Sequence, residues 1–300
     1  MTGVRDVAQG LKDYEAWATD TRPRIGWGLP FFDSRTNGGL ARQESCLLIA
    51  SSNAGKTSIA LNVIRVNPDV PVVVFSIEMA WRMLTARLVA QETGQSTTQL
   101  EQDLKNGVPN PGFQQVMDKF PLLLCDDTAG VTLKQADETF QDATQRLQES
   151  PRLVVWDFAE RIGGSGLMTK AESMDRLFIK LQDWTANHDT ASLILHQRGM
   201  NDPGWMPVGL NDGRYGGHQY VDYVVGAYAP RLDPSLSAVE REAVKEEVFL
   251  QLLKSRAGTE HPSGVRHRLD SRTMRLSEWH QQVWSQSYVN KFPNMEVNNV

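Results

Sequence analysis

This chain has almost no cysteine, no excess of positive charge and no long apolar run, and each absence removes a class of protein. Two cysteines in 300 residues, Cys46 and Cys125, exclude a disulfide scaffold. Both sit inside apolar, strand-like stretches and read as packed thiols of a reducing compartment. A net charge of −5 gives no basic footprint of a protein that coats nucleic acid with its whole surface. It leaves room for a ring whose basic residues line an inner wall. No stretch reaches the roughly 18 apolar residues that span a bilayer, and the opening "MTGVRDVAQGLKDYEAW" lacks the apolar core of a signal peptide. No membrane partner is expected, and the expected location is the cytoplasm. No internal repeat is visible.

What is there is an ordinary globular composition, 40% hydrophobic and 22% charged. Short apolar runs at 46–50, 72–76, 122–125, 153–157, 192–196, 223–228 and 248–253 are near-continuous rather than alternating, which suits strands covered on both faces. Helical spacing lies between them. Leu133, Ala136, Phe140, Ala143 and Leu147 share one face, as do Met174, Leu177, Phe178, Leu181 and Trp184. Strand–helix alternation predicts an α/β fold with a mainly parallel sheet and helices on both faces. The later strands follow each other more closely, so the sheet is expected to end in antiparallel additions. Residues 4–17 read as one short helix, and 199–217 as a long glycine-rich loop without period. The expected division is an N-terminal arm over 1–21, one domain over 22–285, and a flexible tail over 286–300.

The decisive stretch is "CLLIASSNAGKTSIALNVI", from Cys46 to Ile64. A strand, a turn of small polar residues and an amphipathic helix follow one another. A phosphate-binding loop needs inward N–H groups, a helix N-terminus and a lysine that reaches the β- and γ-phosphates. Ser51, Ser52, Asn53, Ala54, Gly55, Lys56, Thr57 and Ser58 form such a loop: Gly55 admits the phosphate, Lys56 brings charge, and Thr57 offers a hydroxyl to Mg²⁺. The first expected glycine is Ala50 instead, a small residue at a strand end. A chance Gly-Lys-Thr at a helix start is the rival reading. "PRLVVWDF" supplies Asp157 at the end of a buried strand as a second Mg²⁺ ligand; an aspartate there can also be a simple cap. "VVVFSIEM" places Glu78 just beyond a strand expected to neighbour the loop strand. There it serves either to orient an attacking water or as a carboxylate favoured by a helix dipole.

Beyond these residues, "VVVFSIEMAWRMLTARLVAQETG" resembles the segment after the second strand in replicative helicases of the DnaB family. So do "RIGWGLPFFDSRTNGGLARQE" before the first strand, "LILHQRGM" with a sensor glutamine at Gln197, and "LLKSRAGTEHPSGVRHRLD" with a Lys-x-Arg pair at Lys254 and Arg256. Phosphate-binding loops of that family often begin with alanine. The resemblance covers roughly 22–280 and implies a RecA-like P-loop NTPase core. It implies ATP and Mg²⁺ as cofactors, a homo-hexamer with ATP between subunits, and movement 5′ to 3′ on single-stranded or forked DNA. In that scheme Glu78 polarises water, Gln197 senses the γ-phosphate, and Lys254 and Arg256 act on the next subunit's nucleotide. Loops carrying Arg198, Arg214 and Tyr215 are the candidates for DNA contact, and helix 4–17 would pack on an adjacent subunit. Loader, primase and polymerase are possible partners. At most some twenty residues precede the core here, so primase docking by the family's usual N-terminal domain is not expected. Versions lacking that domain occur among phage proteins, which would put the protein in a host cytoplasm. The loop "GLNDGRYGGHQYVDYVVG" is shorter than its family counterpart. A recombinase-like or KaiC-like ATPase, and a non-motor scaffold that binds ATP and single-stranded DNA, remain the alternatives.

Overall fold

Six apolar runs form parallel strands: β1 (Ser45–Ala50), β2 (Val72–Ser76), β3 (Leu123–Asp126), β4 (Leu153–Asp157), β5 (Ala191–Gln197) and β6 (Tyr223–Tyr228). β7 (Glu247–Ser255), β8 (His261–Leu269) and β9 (Leu276–Glu278) continue the sheet antiparallel. The spatial order is β3-β2-β4-β5-β1-β6-β7-β8-β9. The computed structural model describes residues 6–157, 159, 162, 170–199, 202–256, 258 and 260–279. The expected tail at 286–300 lies outside the described residues.

The pleat explains why the strands look uniformly apolar in sequence. Cys46, Leu48 and Ala50 face one layer, while Leu47 and Ile49 face the other. The first layer is built by α2 (Pro30–Arg35), α3 (Lys56–Val66), α4 (Trp81–Thr93), α5 (Thr97–Lys105) and α6 (Gly112–Lys119). The second is built by α7 (Leu133–Leu147) and α8 (Lys170–Asn187). Phe140 and Trp184, both placed on buried faces by their spacing, meet edge-on in that layer at 5.4 Å. Cys46 is fully buried and Cys125 partly so; burial raises both thiols, Cys125 to about 12.

One expectation fails. β2 does not neighbour β1; it lies between β3 and β4, with β4 and β5 separating it from the loop strand. The helical crossover after β1 carries the chain across two strand positions that later segments fill, which adjacency in sequence cannot show. α1 spans Val7–Ala18, close to the expected 4–17, and none of its residues is buried. The segment that enters the core closes on itself at Gly39, whose φ is +119° and where a Cβ would sit 1.9 Å from the Ile25 carbonyl oxygen. Only glycine fits there. Among the described residues no helix is long and apolar enough to cross a membrane.

The two edges of the parallel sheet present different residues. Ala50, Ser76, Asp157 and Gln197 end their strands at the carboxyl edge, with Ala50 beside Gln197 and Ser76 beside Asp157. At the amino edge Tyr223 pairs with Cys46 on one side and with Ser255 on the other. Five residue steps separate the two ends of β1, about 17 Å at strand rise.

Candidate functional site

The turn from Ala50 to α3 lies at the carboxyl edge, the side on which open α/β sheets bind ligands. Ala50 is the last residue of β1 and is wholly buried, and its φ is not positive. Nothing at that position requires glycine, which accounts for the departure from the loop's usual opening. The unusual backbone falls later, at Asn53 (φ +64°) and Gly55 (φ +101°). A Cβ on Gly55 would lie 2.7 Å from Leu269 Cδ2, so glycine answers both strain and space there. Lys56 opens α3 and bends back over the loop, its Nζ donating to the carbonyls of Ala50 (3.0 Å) and Ser51 (3.2 Å).

Thr57 and Asp157, a hundred residues apart, meet: Thr57 Oγ1 donates to Asp157 Oδ2 at 3.0 Å. Asp157 is 2% exposed, and its other oxygen, Oδ1, is buried with no partner. Burial pushes this carboxyl up to about 6, against the Thr57 hydrogen bond; the charge of Glu78 pushes the same way, while Lys56 and Arg87 oppose it. A buried oxygen left over beside a hydroxyl fits a hard cation. Among the described residues no three carboxylate, imidazole or thiol groups cluster. That suits Mg²⁺, which is held by one or two carboxylates together with a substrate's phosphates.

Glu78 reaches the same place by another route than expected. The N–H groups of Ile77 and Glu78 both donate to the Asp157 carbonyl, at 2.8 and 3.2 Å. The chain leaving β2 is therefore strapped onto the end of β4, and Glu78 needs no contact between β2 and β1. Gln197 ends β5, and its Nε2 donates to Ser52 Oγ at 2.8 Å. Lys56, Thr57, Glu78 and Gln197 line one cleft of about 380 Å³, with Ser52, Asn53, Gly55 and Ser58. Ala54 and Ser58 are buried and Ser51 Oγ has no partner; Ala54 supports the loop from beneath.

Two cations of the cleft escaped the reading of the sequence. Arg231 follows β6, donating to the Asn53 carbonyl at 2.7 Å and the Glu247 carbonyl at 3.2 Å. Arg87 on α4 lines the cleft, and its charge acts on Asp157 and Glu78. The spacing of Arg87 after Glu78 could have suggested it; Arg231 offers only a lone cation after a strand.

The remaining sequence-derived candidates lie elsewhere. Lys254 pairs in register with Val224, and Arg256 follows the end of β7, so both stand at the amino edge. Lys254 Nζ donates to the carbonyls of His218 (2.9 Å) and Val221 (2.7 Å). Arg256 pairs with Asp222 at 2.6 Å and stays 61% exposed. Arg198 is 5% exposed, with all its donors turned into the loop that follows it. That leaves it none to offer DNA. Arg214 lies over the Tyr215 ring at 5.1 Å, both half-buried, with Tyr215 at φ +71°.

Residues 25–197 match the model of the DnaB-like helicase C-terminal domain family. Sequence comparison with curated proteins finds no match. A solved ATPase domain superimposes with a TM-score of 0.75 at 17% identity, over 93% of this chain and 100% of its own. The structure of a DnaB-like replicative helicase and its interactions with primase gives 0.73 at 16%, over 92% and 68%. A KaiC-like protein from the hyperthermophilic archaeon Pyrococcus horikoshii gives 0.59 at 14%, over 86% and 99%. At such identities these likenesses speak for the fold, the RecA-like sheet with antiparallel C-terminal strands. The family match takes in 173 of the 300 residues, and the chain belongs to the DnaB-like helicase C-terminal domain family.

Proposed function

We propose that this protein is an ATP-driven DNA helicase. On this reading it works as a ring of six copies, moves 5′ to 3′ along single-stranded DNA and separates a forked duplex. The observation that carries the reading is the distance between Arg256 and its own phosphate loop. Lys254 and Arg256 stand at the opposite edge of the sheet from Lys56, about 17 Å away along β1 alone. A cation so placed serves the nucleotide of a neighbouring copy. α1 supports the same assembly, since its Val7, Leu11, Tyr14 and Trp17 are exposed apolar residues on a helix with nothing buried.

Lys56 and the N–H groups of the loop would hold the triphosphate, and Thr57 with Asp157 would hold Mg²⁺. The metal would supply positive charge that neutralises the phosphates. Glu78 orients and polarises the attacking water, and Gln197 answers to the γ-phosphate. Arg256 from the adjacent copy stabilises charge on the transferred group, with Lys254 beside it. Arg214 and Tyr215 are the proposed DNA contacts, through phosphate charge and stacking; Arg198 is not among them. Partners among replication proteins, a loader, primase or polymerase, follow from the same reading.

The test is chemical. Lys56→Ala should abolish ATP hydrolysis. Arg256→Ala should lower it by about 10³- to 10⁵-fold while sparing ATP binding. Mixing the two variants should restore part of the activity, because a complete pocket reforms where an intact Lys56 meets an intact Arg256. Mixed rings that stay inactive would sink the shared pocket. A forked duplex with 5′ or 3′ tails decides between motor and scaffold: DNA-stimulated hydrolysis without strand separation favours the scaffold or recombinase-like reading.

A further inference from the structure

The amino edge of the sheet, opposite the phosphate loop, carries a cavity of its own. Arg42, Arg152 and Asp189 lie three, one and two residues before β1, β4 and β5. The segment leaving α1 supplies another part of the wall, with Asp20, Arg22 and Arg24. The space enclosed is about 180 Å³, and four guanidiniums line it against two carboxylates.

These cations are unequally matched. Arg22 meets Asp20 at 2.7 Å and Asp189 at 3.6 Å, and Arg42 meets the same two carboxylates at 3.2 and 3.1 Å. Arg24 turns to Glu44 at 2.5 Å and to the Gly39 carbonyl at 2.8 Å. Arg152 is left over. Its Nη2 donates to the Pro23 carbonyl, and among the described residues no carboxylate pairs with it. Burial, and after it the like charge of Arg22, lowers Arg152 below the ordinary arginine value, while Asp20 and Glu149 oppose the shift. Two guanidiniums therefore repel each other at one cavity whose walls already hold a surplus of positive charge. An anion between them would turn that repulsion into attraction. Guanidinium forks match the oxygens of a phosphate two at a time. The space is smaller than the roughly 300–1,000 Å³ of pockets that take drug-sized ligands, so it suits one phosphate group and not a whole nucleotide.

We propose that this cavity is a phosphate-binding site separate from the nucleotide cleft, in which one phosphate group bridges Arg22 on the segment after α1 to Arg152 on the core. The site does not depend on the function proposed above. Inorganic phosphate and the backbone of single-stranded DNA both carry the group, and the experiment tells them apart. Occupancy would also fix the segment from which α1 departs, because Arg22 and the Pro23 carbonyl both face Arg152 across the cavity.

The experiment follows amide exchange of Asp20, Arg22 and Ile25 in the full chain, each hydrogen-bonded in the structure. Ionic strength is held constant while inorganic phosphate, or oligo(dT), replaces part of the chloride. At roughly ten times the dissociation constant, phosphate should slow these amides by about tenfold relative to chloride alone. Lys56→Ala, which disables the phosphate loop at the other edge, should keep the slowing. Arg152→Gln should bring the ratio close to one, and Arg152→Lys, which keeps the charge but not the fork, should leave it in between. A merely structural Arg152 would speed exchange equally with and without phosphate and preserve the ratio. Slowing by oligo(dT) but not by free phosphate assigns the group to the DNA backbone, and the reverse assigns it to the free ion; either supports the site. Amides indifferent to both, slowing that vanishes in Lys56→Ala, or a wild-type ratio in Arg152→Gln overturns it.

Discussion

Asp157 and Asp222 are twins by every simple measure. Both flank strands of the parallel sheet, and both are buried, at 2% and 7% exposure. They differ in what each has left to give. Asp222, at the amino edge, takes Arg256 on Oδ1 at 2.6 Å and the N–H and hydroxyl of Ser45 on Oδ2 at 2.8 and 3.2 Å. Asp157, at the carboxyl edge, takes only Thr57, and its Oδ1 is buried without a partner. Burial alone therefore does not mark a functional carboxylate. Nor does an unpartnered oxygen alone, since Glu247 Oε2 is buried without a partner as well; what sets Asp157 apart is that its unsatisfied oxygen, which costs stability an internal partner would have restored, lies on the carboxylate that Thr57 meets at the head of α3.

That contrast yields its largest expected effect at Asp157. Its carboxyl rises from the usual 3.8 to about 6, so between those values the folded chain holds a proton that the unfolded chain has released. The stability this group contributes is present below about pH 4 and is lost as pH rises through 6. At neutral pH the buried charge works against folding by up to about 3 kcal/mol, at 1.36 kcal/mol per pH unit. Asp157→Asn keeps an acceptor for Thr57 and removes the charge. It should abolish Mg²⁺-dependent hydrolysis yet stabilise the metal-free protein at pH 7.5 by about 1–3 kcal/mol. It should also flatten the stability change between pH 4 and 6. Thermal denaturation without nucleotide or metal measures this, and a variant less stable than the wild type at pH 7.5 would show that Oδ1 is satisfied after all.

The same pair shows how far the sequence could be read. Asp157 is legible because four apolar residues precede it and a candidate phosphate-binding loop lies a hundred positions earlier. All seven apolar runs became strands for the same reason: a two-sided sheet leaves no polar alternation to misread. What failed were relations settled only in three dimensions. The seat of β2 between β3 and β4 depends on crossovers. α5 and α6 bury too little to print a helical period, with Leu100 alone in one and Gly112 and Val116 in the other. Arg198 looked like a free cation because nothing in the chain says that Asp212 and three carbonyls will consume it. Arg231 meets Asn53 across 178 positions, a contact no local pattern announces.

The amino edge sharpens the comparison with smaller effects. Asp222→Ala should cost about 2 kcal/mol, since it strips the buried Ser45 N–H of its acceptor. Arg256→Ala removes the other half of the same ion pair but should cost at most about 1 kcal/mol, because the guanidinium is 61% exposed and water screens the pair. Denaturant titration of both variants beside the wild type gives the two numbers directly. The asymmetry is what matters: Asp222 is held by the fold, whereas Arg256 is lightly tethered and costs little to release, as the role proposed for it at a neighbouring copy requires. An Arg256→Ala variant that lost as much stability as Asp222→Ala would make the arginine a strut of its own subunit. Its loss of hydrolysis would then have nothing to say about a neighbour.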